Sequence, residues 1–374
     1  MIRVGVIGCG VISEVYLKNL QLFGIPVAAV ADLDQARAAA RAEQFQVPAI
    51  APDELLAHPA VDLVLNLTVP KAHADLARQA LEHGKHVHTE KPLALRAEDA
   101  KALVDLARAR GLRLGSAPDT FLGSHLQTAR KLLDDGWIGE PIGATAFMMS
   151  HGPERWHPNP DFFYQAGGGP MFDMGPYYLT ALVHLMGPVR RVAGTAQTTF
   201  STRVIGSPNR FGERIPVETP THVQALLEFE RGATGLLVTT FDVWHSELPR
   251  IEIYGTEGTL AVPDPNYFEG TVRVRRRGAE AWSPAPALFG FAENRRGLAV
   301  ADMALAIRDR RPHRASGDLA LHVVEIMEAV HLSAREGRHV EIASRPDRPE
   351  PWPIGYDETA LQLDLWGQRE RGKS

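Results

Sequence analysis

Three side chains in this sequence have the types and surroundings that proton-coupled chemistry needs: Lys91, Asp173 and Tyr177. Lys91 stands in Glu90-Lys91-Pro92, at the end of the run Gly84-Lys85-His86-Val87-His88-Thr89. Val87 ends an apolar, strand-like stretch, and Pro92 forbids a helix from running back through the lysine. The strand therefore delivers a fixed cation to its own carboxyl end, which in an open parallel α/β sheet borders the ligand crevice. Asp173 and Tyr177 lie in Gly167-Gly168-Gly169-Pro170-Met171-Phe172-Asp173-Met174-Gly175-Pro176-Tyr177-Tyr178. Glycine and proline make a turn there, and Pro176 suits the first turn of a helix running to His184. If that helix includes Asp173, the two residues are i, i+4 neighbours on one face; if it starts at Pro176, Asp173 sits at its mouth. Either way both can face one pocket. His184 shares the stripe but, at about 1.5 Å per residue, lies roughly 16 Å along the axis from Asp173, outside the reacting centre.

The first 120 residues alternate short apolar runs with helix-like segments, the rhythm of a doubly wound parallel sheet. Strands are expected over 4–7, 27–31, 61–67, 86–88 and 112–116, with helices over 11–22, 35–44, 72–83 and 97–110. Gly8-Cys9-Gly10-Val11-Ile12-Ser13 follows the first strand and opens the first helix. Glycine there allows a tight turn and lets backbone N–H groups approach a pyrophosphate at the helix N-terminus, so a dinucleotide is expected on Gly8, Gly10, Val11 and Ile12. Ser13 replaces the last small residue of the fingerprint and is itself small. Asp32 closes the second strand where an acidic residue takes the adenosine ribose hydroxyls, and its charge repels a 2'-phosphate. NAD is therefore expected in preference to NADP, although Arg37 could soften that choice. Asp34 reads as a helix N-cap. Thr68, Pro70 and His73 edge the same crevice, and a lone histidine in a first helical turn serves structure as often as chemistry. His86 and His88 share a strand face with no carboxylate or cysteine at ligand spacing, so no metal is expected.

Beyond about Phe121 the rhythm changes. A helix over 127–133 and a strand over 142–149 lead through a Pro/aromatic loop to the helix of Tyr177. Strand-like runs follow over 189–200, 223–229, 234–241, 251–254, 260–262 and 272–274, reading as a mostly antiparallel sheet with helices on one face. Residues 201–220 read as a long loop, and the tail after Ser344 as Pro-rich and polar. The expected fold is α/β: an N-terminal doubly wound parallel sheet over 1–120, and over 121–374 an α/β domain with a large, mostly antiparallel open sheet. With 44% hydrophobic and 23% charged residues, 374 in all, the chain is an ordinary globular one. No apolar run approaches the roughly 20 residues that span a bilayer, and a net charge of -5 offers nucleic acid no basic field. The single cysteine, Cys9, excludes an intrachain disulfide. With the first strand starting at Ile2, a cytoplasmic location is expected.

The run Gly84-Lys85-His86-Val87 to Glu90-Lys91-Pro92, followed by Gly-Gly-Gly-Pro-Met-Phe-Asp-Met-Gly ahead of a helix, resembles the Gfo/Idh/MocA family of glucose-fructose oxidoreductase and inositol dehydrogenase. The resemblance spans nearly the whole chain, through Tyr254-Gly255-Thr256-Glu257-Gly258 to a late helix over 319–333. It implies a Rossmann domain, an α/β domain whose open sheet makes a homodimer or homotetramer, and NAD(P)-dependent oxidation of sugars and cyclitols. It makes Lys91 the catalytic lysine, lines the nicotinamide with Glu90, Thr68, Pro70 and His73, and makes Asp173 a substrate-orienting aspartate. Tyr177 stands where many relatives carry histidine, which leaves the general base open. Asp119-Thr120-Phe121 departs from a commoner Arg-Phe, so Asp119 is expected to alter substrate contacts.

Oxidising a secondary alcohol removes a hydride from carbon and a proton from oxygen, so the site needs a nicotinamide face and a positioned proton acceptor. Lysine and tyrosine ordinarily titrate at about 10. Mutual proximity of Lys91 and Tyr177, with the positive charge of oxidised nicotinamide, is expected to depress both. Tyr177, assisted by Lys91, is then the expected base, with Asp173 orienting the hydroxyl or the lysine. Trp156, His157 and Tyr164, in the segment ahead of the triple glycine, could form an aromatic wall for the apolar face of a sugar; Trp244 and His245 are weaker candidates. The expected activity is NAD-dependent oxidation of a monosaccharide or polyol hydroxyl, at the anomeric carbon first. A redox-neutral isomerase or glycosidase that retains NAD, and a non-catalytic NAD/sugar sensor, are the alternatives.

Overall fold

The computed structural model describes residues 2–367 and holds two large sheets and a two-stranded ribbon. Strands β1 (Val4–Ile7), β2 (Val27–Ala31), β3 (Leu63–Asn66), β4 (His86–Thr89) and β5 (Leu114–Ser116) form the first, in the order β2-β1-β3-β4-β5. Every neighbouring pair is parallel. Helices cover both faces, so β1 and β3 are buried along their whole length and read as continuous apolar runs. The order reverses between β1 and β3, which opens a crevice at their carboxyl ends.

The second sheet is built from β6 (Pro141–Met149), β7 (Val189–Gln197), β10 (His222–Phe229), β11 (Thr234–Thr240), β12 (Ile251–Gly255), β13 (Gly258–Val262), β14 (Arg273–Arg276), β15 (Ser283–Pro284) and β16 (Val340–Glu341). The strands β8 (Thr202–Val204) and β9 (Arg214–Pro216) form a separate ribbon. The nine-stranded order is β15-β14-β13-β12-β6-β11-β10-β7-β16. Only β6 and β11 pair in parallel, so the sheet is mostly antiparallel, as expected. Burial alternates along β6 and β10, because one face carries helices and the other is open. On the covered face the helix Gly317–Glu336 lies over β7 so closely that a Cβ on Gly194 would stand 2.6 Å from the Val330 carbonyl. The same helix reaches β5, and its Glu328 accepts the Ala97 N–H at 2.8 Å, tying the two sheets together.

Two expectations are corrected, and one helix was not foreseen. Residues 201–220 are not a featureless loop: β8 and β9 pair across them, with a 3₁₀ turn Pro208–Arg210 between. The polar tail contains the helix Glu358–Trp366, packed on the first helix, where Gln362 donates to the Leu22 carbonyl at 2.7 Å. The helix Leu298–Asp309 is nearly all buried and carries no amphipathic stripe to mark it in the sequence.

Candidate active site

The glycine loop after β1 has the shape a dinucleotide needs. Gly8 has φ 105°, and a Cβ there would stand 2.6 Å from the Leu67 carbonyl, so only glycine fits this turn. Gly10 would meet nothing within 4 Å, leaving its backbone open to a ligand. Ser13 is buried; its hydroxyl donates to the Gly10 carbonyl at 2.6 Å and accepts from Arg41 Nε at 3.0 Å. Arg41, which the sequence did not single out, also donates to the Gly10 carbonyl. Asp32 accepts the Cys9 N–H at 2.7 Å and the Asp34 N–H at 2.8 Å, one on each oxygen, so each oxygen keeps a lone pair for a ribose hydroxyl. Asp34 caps its helix as expected and pairs with Arg37 at 3.0 Å, which draws that cation away from Asp32. Val11, Leu33 and Val69 stand 89%, 94% and 66% exposed, apolar surface that a bound dinucleotide would cover. The loop fits the cofactor.

At the end of β4 the Glu90 N–H donates to the Asn66 carbonyl, and Glu90 accepts from the Lys91 N–H at 2.9 Å and from the Tyr16 hydroxyl at 2.7 Å. These bonds hold the turn and aim Lys91 across the crevice. Its Nζ donates to Asp173 Oδ1 at 2.9 Å and to the Asp173 carbonyl at 2.7 Å, and it lies 5.1 Å from the centroid of the Tyr177 ring. Asp173 ends a short helix, Gly169–Asp173, and Tyr177 lies in the next, Gly175–Met186, with Met174 between them. That break turns the Asp173 carbonyl as well as its carboxylate toward the lysine. Lys91, Asp173 and Tyr177 are thus together, as the sequence suggested. The expectation that proximity lowers the lysine's pKa is overturned for the protein alone. Burial pulls it down, but the Asp173 carboxylate, Tyr177 and Glu90 outweigh burial and hold it well above the ordinary value.

Three other expected residues stand behind the crevice rather than in it. His73 is 1% exposed; Nδ1 faces the Pro92 carbonyl at 2.7 Å and Nε2 the Thr68 carbonyl at 3.0 Å. It clamps the Glu90-Lys91-Pro92 turn to the Thr68–Pro70 rim, and burial lowers its pKa. Thr68 and Pro70 are half-buried on that rim. Asp119 is buried too, accepting the Gly297 and Ala299 N–H groups at 2.7 and 3.3 Å, where Leu298–Asp309 begins. Tyr164 is fully buried and donates to Glu154, which with Asp242 neutralises the buried Arg203 of β8. It anchors the ribbon instead of touching a substrate. Trp156 is exposed, and half-buried His157 packs edge-on against it at 5.5 Å, near enough to Asp173 to feel its charge. Trp244 is stacked on His151 at 3.4 Å. Arg296, whose guanidinium is held by Asn266 and Asn294, belongs to no motif and was missed.

The two halves of the chain match two family models, described as "Oxidoreductase family, NAD-binding Rossmann fold" over residues 2–117 and "GFO/IDH/MocA C-terminal domain" over residues 126–261. The chain belongs to the GFO/IDH/MocA oxidoreductase family. A dTDP-3,4-didehydro-2,6-dideoxy-alpha-D-glucose 3-reductase of Saccharopolyspora spinosa is 30% identical over 360 residues, covering 90% of this chain and 98% of that one. A D-xylose 1-dehydrogenase (NADP(+)) of Haloferax volcanii is 26% identical over 343 residues, with 90% and 98% covered. Among solved structures, apo levoglucosan dehydrogenase matches with a TM-score of 0.80 at 21% identity, over 92% of this chain and 99% of that one, a likeness of fold. As a GFO/IDH/MocA member the protein is an NAD-binding oxidoreductase of CH–OH groups, akin to sugar and polyol dehydrogenases and reductases. Among the described residues, no helix is long and apolar enough to cross a membrane.

Proposed function

We propose that this enzyme oxidises a hydroxyl of a monosaccharide or related polyol, at the anomeric carbon, with Tyr177 as the proton acceptor. The observation that carries the reading is the Lys91–Asp173–Tyr177 cluster at the carboxyl end of β4, beside a glycine loop shaped for a dinucleotide. NAD, when bound, supplies the hydride acceptor. Lys91, held by two oxygens of Asp173 and kept an ammonium by their charge, is a poor base and a good donor to a substrate oxygen. That leaves the Tyr177 hydroxyl to take the proton, with Asp173 fixing the lysine's direction. Gly8, Gly10, Val11 and Ile12 cradle the pyrophosphate and Asp32 takes the ribose. Glu90, Thr68 and Pro70 line the nicotinamide end. Trp156 and His157, on the loop ahead of the short helix, offer an apolar wall for a sugar face. We assign 1–120 to cofactor binding and 121–374 to substrate binding and self-association through the open sheet face.

The name of the xylose dehydrogenase relative supports oxidation at the anomeric carbon. Several relatives at 30% identity are named as 3-reductases of a dTDP-linked keto sugar, which favours a second reading: reduction of a ring ketone by the same residues. A panel of free aldoses, cyclitols and sugar acids with NAD, and of keto sugars with NADH, followed at the NADH absorbance, separates the two. Tyr177→Phe should lower hydride transfer by about 10²–10⁴-fold, the usual worth of a general base; full retention with an unchanged pH profile would overturn the assignment. NAD that stays bound through turnover without net NADH would point instead to a redox-neutral isomerase or glycosidase.

A further inference from the structure

The glycine loop departs from the dinucleotide fingerprint at Ser13, and the fold gives that serine a partner. Ser13 is fully buried, so its hydroxyl needs both an acceptor and a donor inside the protein. It donates to the Gly10 carbonyl at 2.6 Å and accepts at 3.0 Å from Nε of Arg41, which lies in the helix Gln35–Phe45. Nη2 of the same arginine donates to the Gly10 carbonyl at 3.3 Å. Its Nη1 donates to Glu14 Oε2 at 3.3 Å and to Gln44 Oε1 at 2.5 Å. A guanidinium has donors and no acceptor, and this one, mostly buried, spends its donors on fixing the start of the first helix. With the Ser13 N–H at 3.2 Å, three donors converge on the Gly10 oxygen.

The direction of that carbonyl decides the direction of an amide. The peptide between Gly10 and Val11 is trans, so its C=O and N–H point opposite ways. Drawing the Gly10 oxygen in toward Ser13 and Arg41 therefore turns the Val11 N–H outward, at a residue that is 89% exposed. Among the described residues, the N–H groups of Gly10, Val11 and Ile12 meet no protein acceptor, which leaves them for a ligand. We propose that Arg41 is a positioning residue for the dinucleotide: by holding the Gly10 carbonyl, directly and through Ser13, it aims the Val11 N–H at the pyrophosphate. This rests on the proposed seating of the pyrophosphate on the glycine loop. Arg41 acts by direction rather than by charge, because the Glu14 carboxylate, itself paired with Lys18 at 2.6 Å, lies against its guanidinium. Alanine at position 13, which the fingerprint also allows, would pack as closely but would leave Arg41 Nε without its acceptor.

The test is titration calorimetry of NAD into the full-length protein, joined to NMR of the same protein carrying ¹⁵N-valine. Arg41→Met should weaken NAD binding about tenfold, the effect of losing one charge-assisted hydrogen bond. Arg41→Lys, which restores the charge without the planar fork, should recover little of that loss; full recovery would mean that charge alone acts, and would overturn the proposal. The Val11 amide resonance, identified by its loss in Val11→Ile, should move in Arg41→Met before any NAD is added. A folded Arg41→Met with wild-type NAD affinity, or with the Val11 resonance unmoved, overturns the proposal. If that variant does not fold, a Ser13→Ala variant in which both readouts are unchanged overturns it equally. The seating of the pyrophosphate fails by a separate signal. A Cβ on Gly10 meets nothing within 4 Å in the protein alone, so Gly10→Ala that binds NAD as tightly as wild type would refute the seating, whatever Arg41 does.

Discussion

Lys91 works as a cation because of where its partner oxygens sit. The Asp173 carboxylate and carbonyl take two of its three protons, which leaves one donor for a substrate oxygen. Lys91→Met should therefore lower hydride transfer by about 10²-fold or more, while Lys91→Arg, too large for the same two contacts, should recover little of it in a turnover assay. In the proposed site Asp32 would discriminate by repulsion. Arg37, the cation in the following helix, is paired to Asp34. Asp32→Ser should raise the preference for NADP relative to NAD by about tenfold, read as the ratio of dissociation constants. Asp119 gives a pH signature. Burial, offset in part by Arg296 and the N–H groups of Gly297 and Ala299, pushes its carboxyl from an ordinary 3.8 up to about 6. The folded state then holds this proton more tightly than the unfolded one. Its contribution to stability is full below 3.8 and is lost as pH rises through about 6. Denaturant unfolding should show stability falling across that window, and Asp119→Asn should flatten the slope.

At the scale of elements, three segments depend on single residues. The ribbon of β8 and β9 is anchored through Arg203, which is 4% exposed between Glu154 and Asp242, themselves 4% and 6% exposed as side chains. Removing the cation leaves two buried carboxylates unpaired. Arg203→Leu should cost about 3–5 kcal/mol, visible as a lower melting temperature, with earlier proteolysis between 201 and 216. The β1 turn depends likewise on Gly8. A methyl group there meets the Leu67 carbonyl in a conformation that L-residues avoid, so Gly8→Ala must move either the loop or β3. The short helix Gly169–Asp173 shows a third dependence: Gly169 has φ 81°, and a Cβ would stand 2.7 Å from the Pro220 carbonyl. That close approach seats the helix so that Asp173 meets Lys91.

Over the whole molecule, the nine-stranded sheet leaves one face without helices among the described residues. Leu226 of β10 is 57% exposed there, with Leu236 and Tyr254 beside it. The self-association proposed for this face would cover that apolar surface. Leu226→Glu should then shift the protein to monomer by light scattering, with the far-UV spectrum unchanged. The helix Gly317–Glu336 binds the other face to β5, so the crevice between the two sheets has one rigid wall in common.

The sequence alone determined what local backbone demands can encode. The alternation of apolar runs and helices specified the parallel sheet; the glycines after β1, the proline after Lys91 and the glycine-proline turn before Tyr177 each marked a place where few residue types fit. Those demands act within a few residues, so they can be read in order along the chain. The tertiary structure decided which polar groups the crevice keeps and which the core takes. His73, Asp119 and Tyr164 look like site residues by type and position, yet each is buried against a partner: the Pro92 and Thr68 carbonyls, the start of Leu298–Asp309, and Glu154 with Arg203. Arg296 looks like one more surface arginine, yet Asn19 holds its backbone and Asn266 its guanidinium. Charge and hydrogen bonding act across space, and the groups that meet here lie up to 277 residues apart, so only the folded chain brings them together.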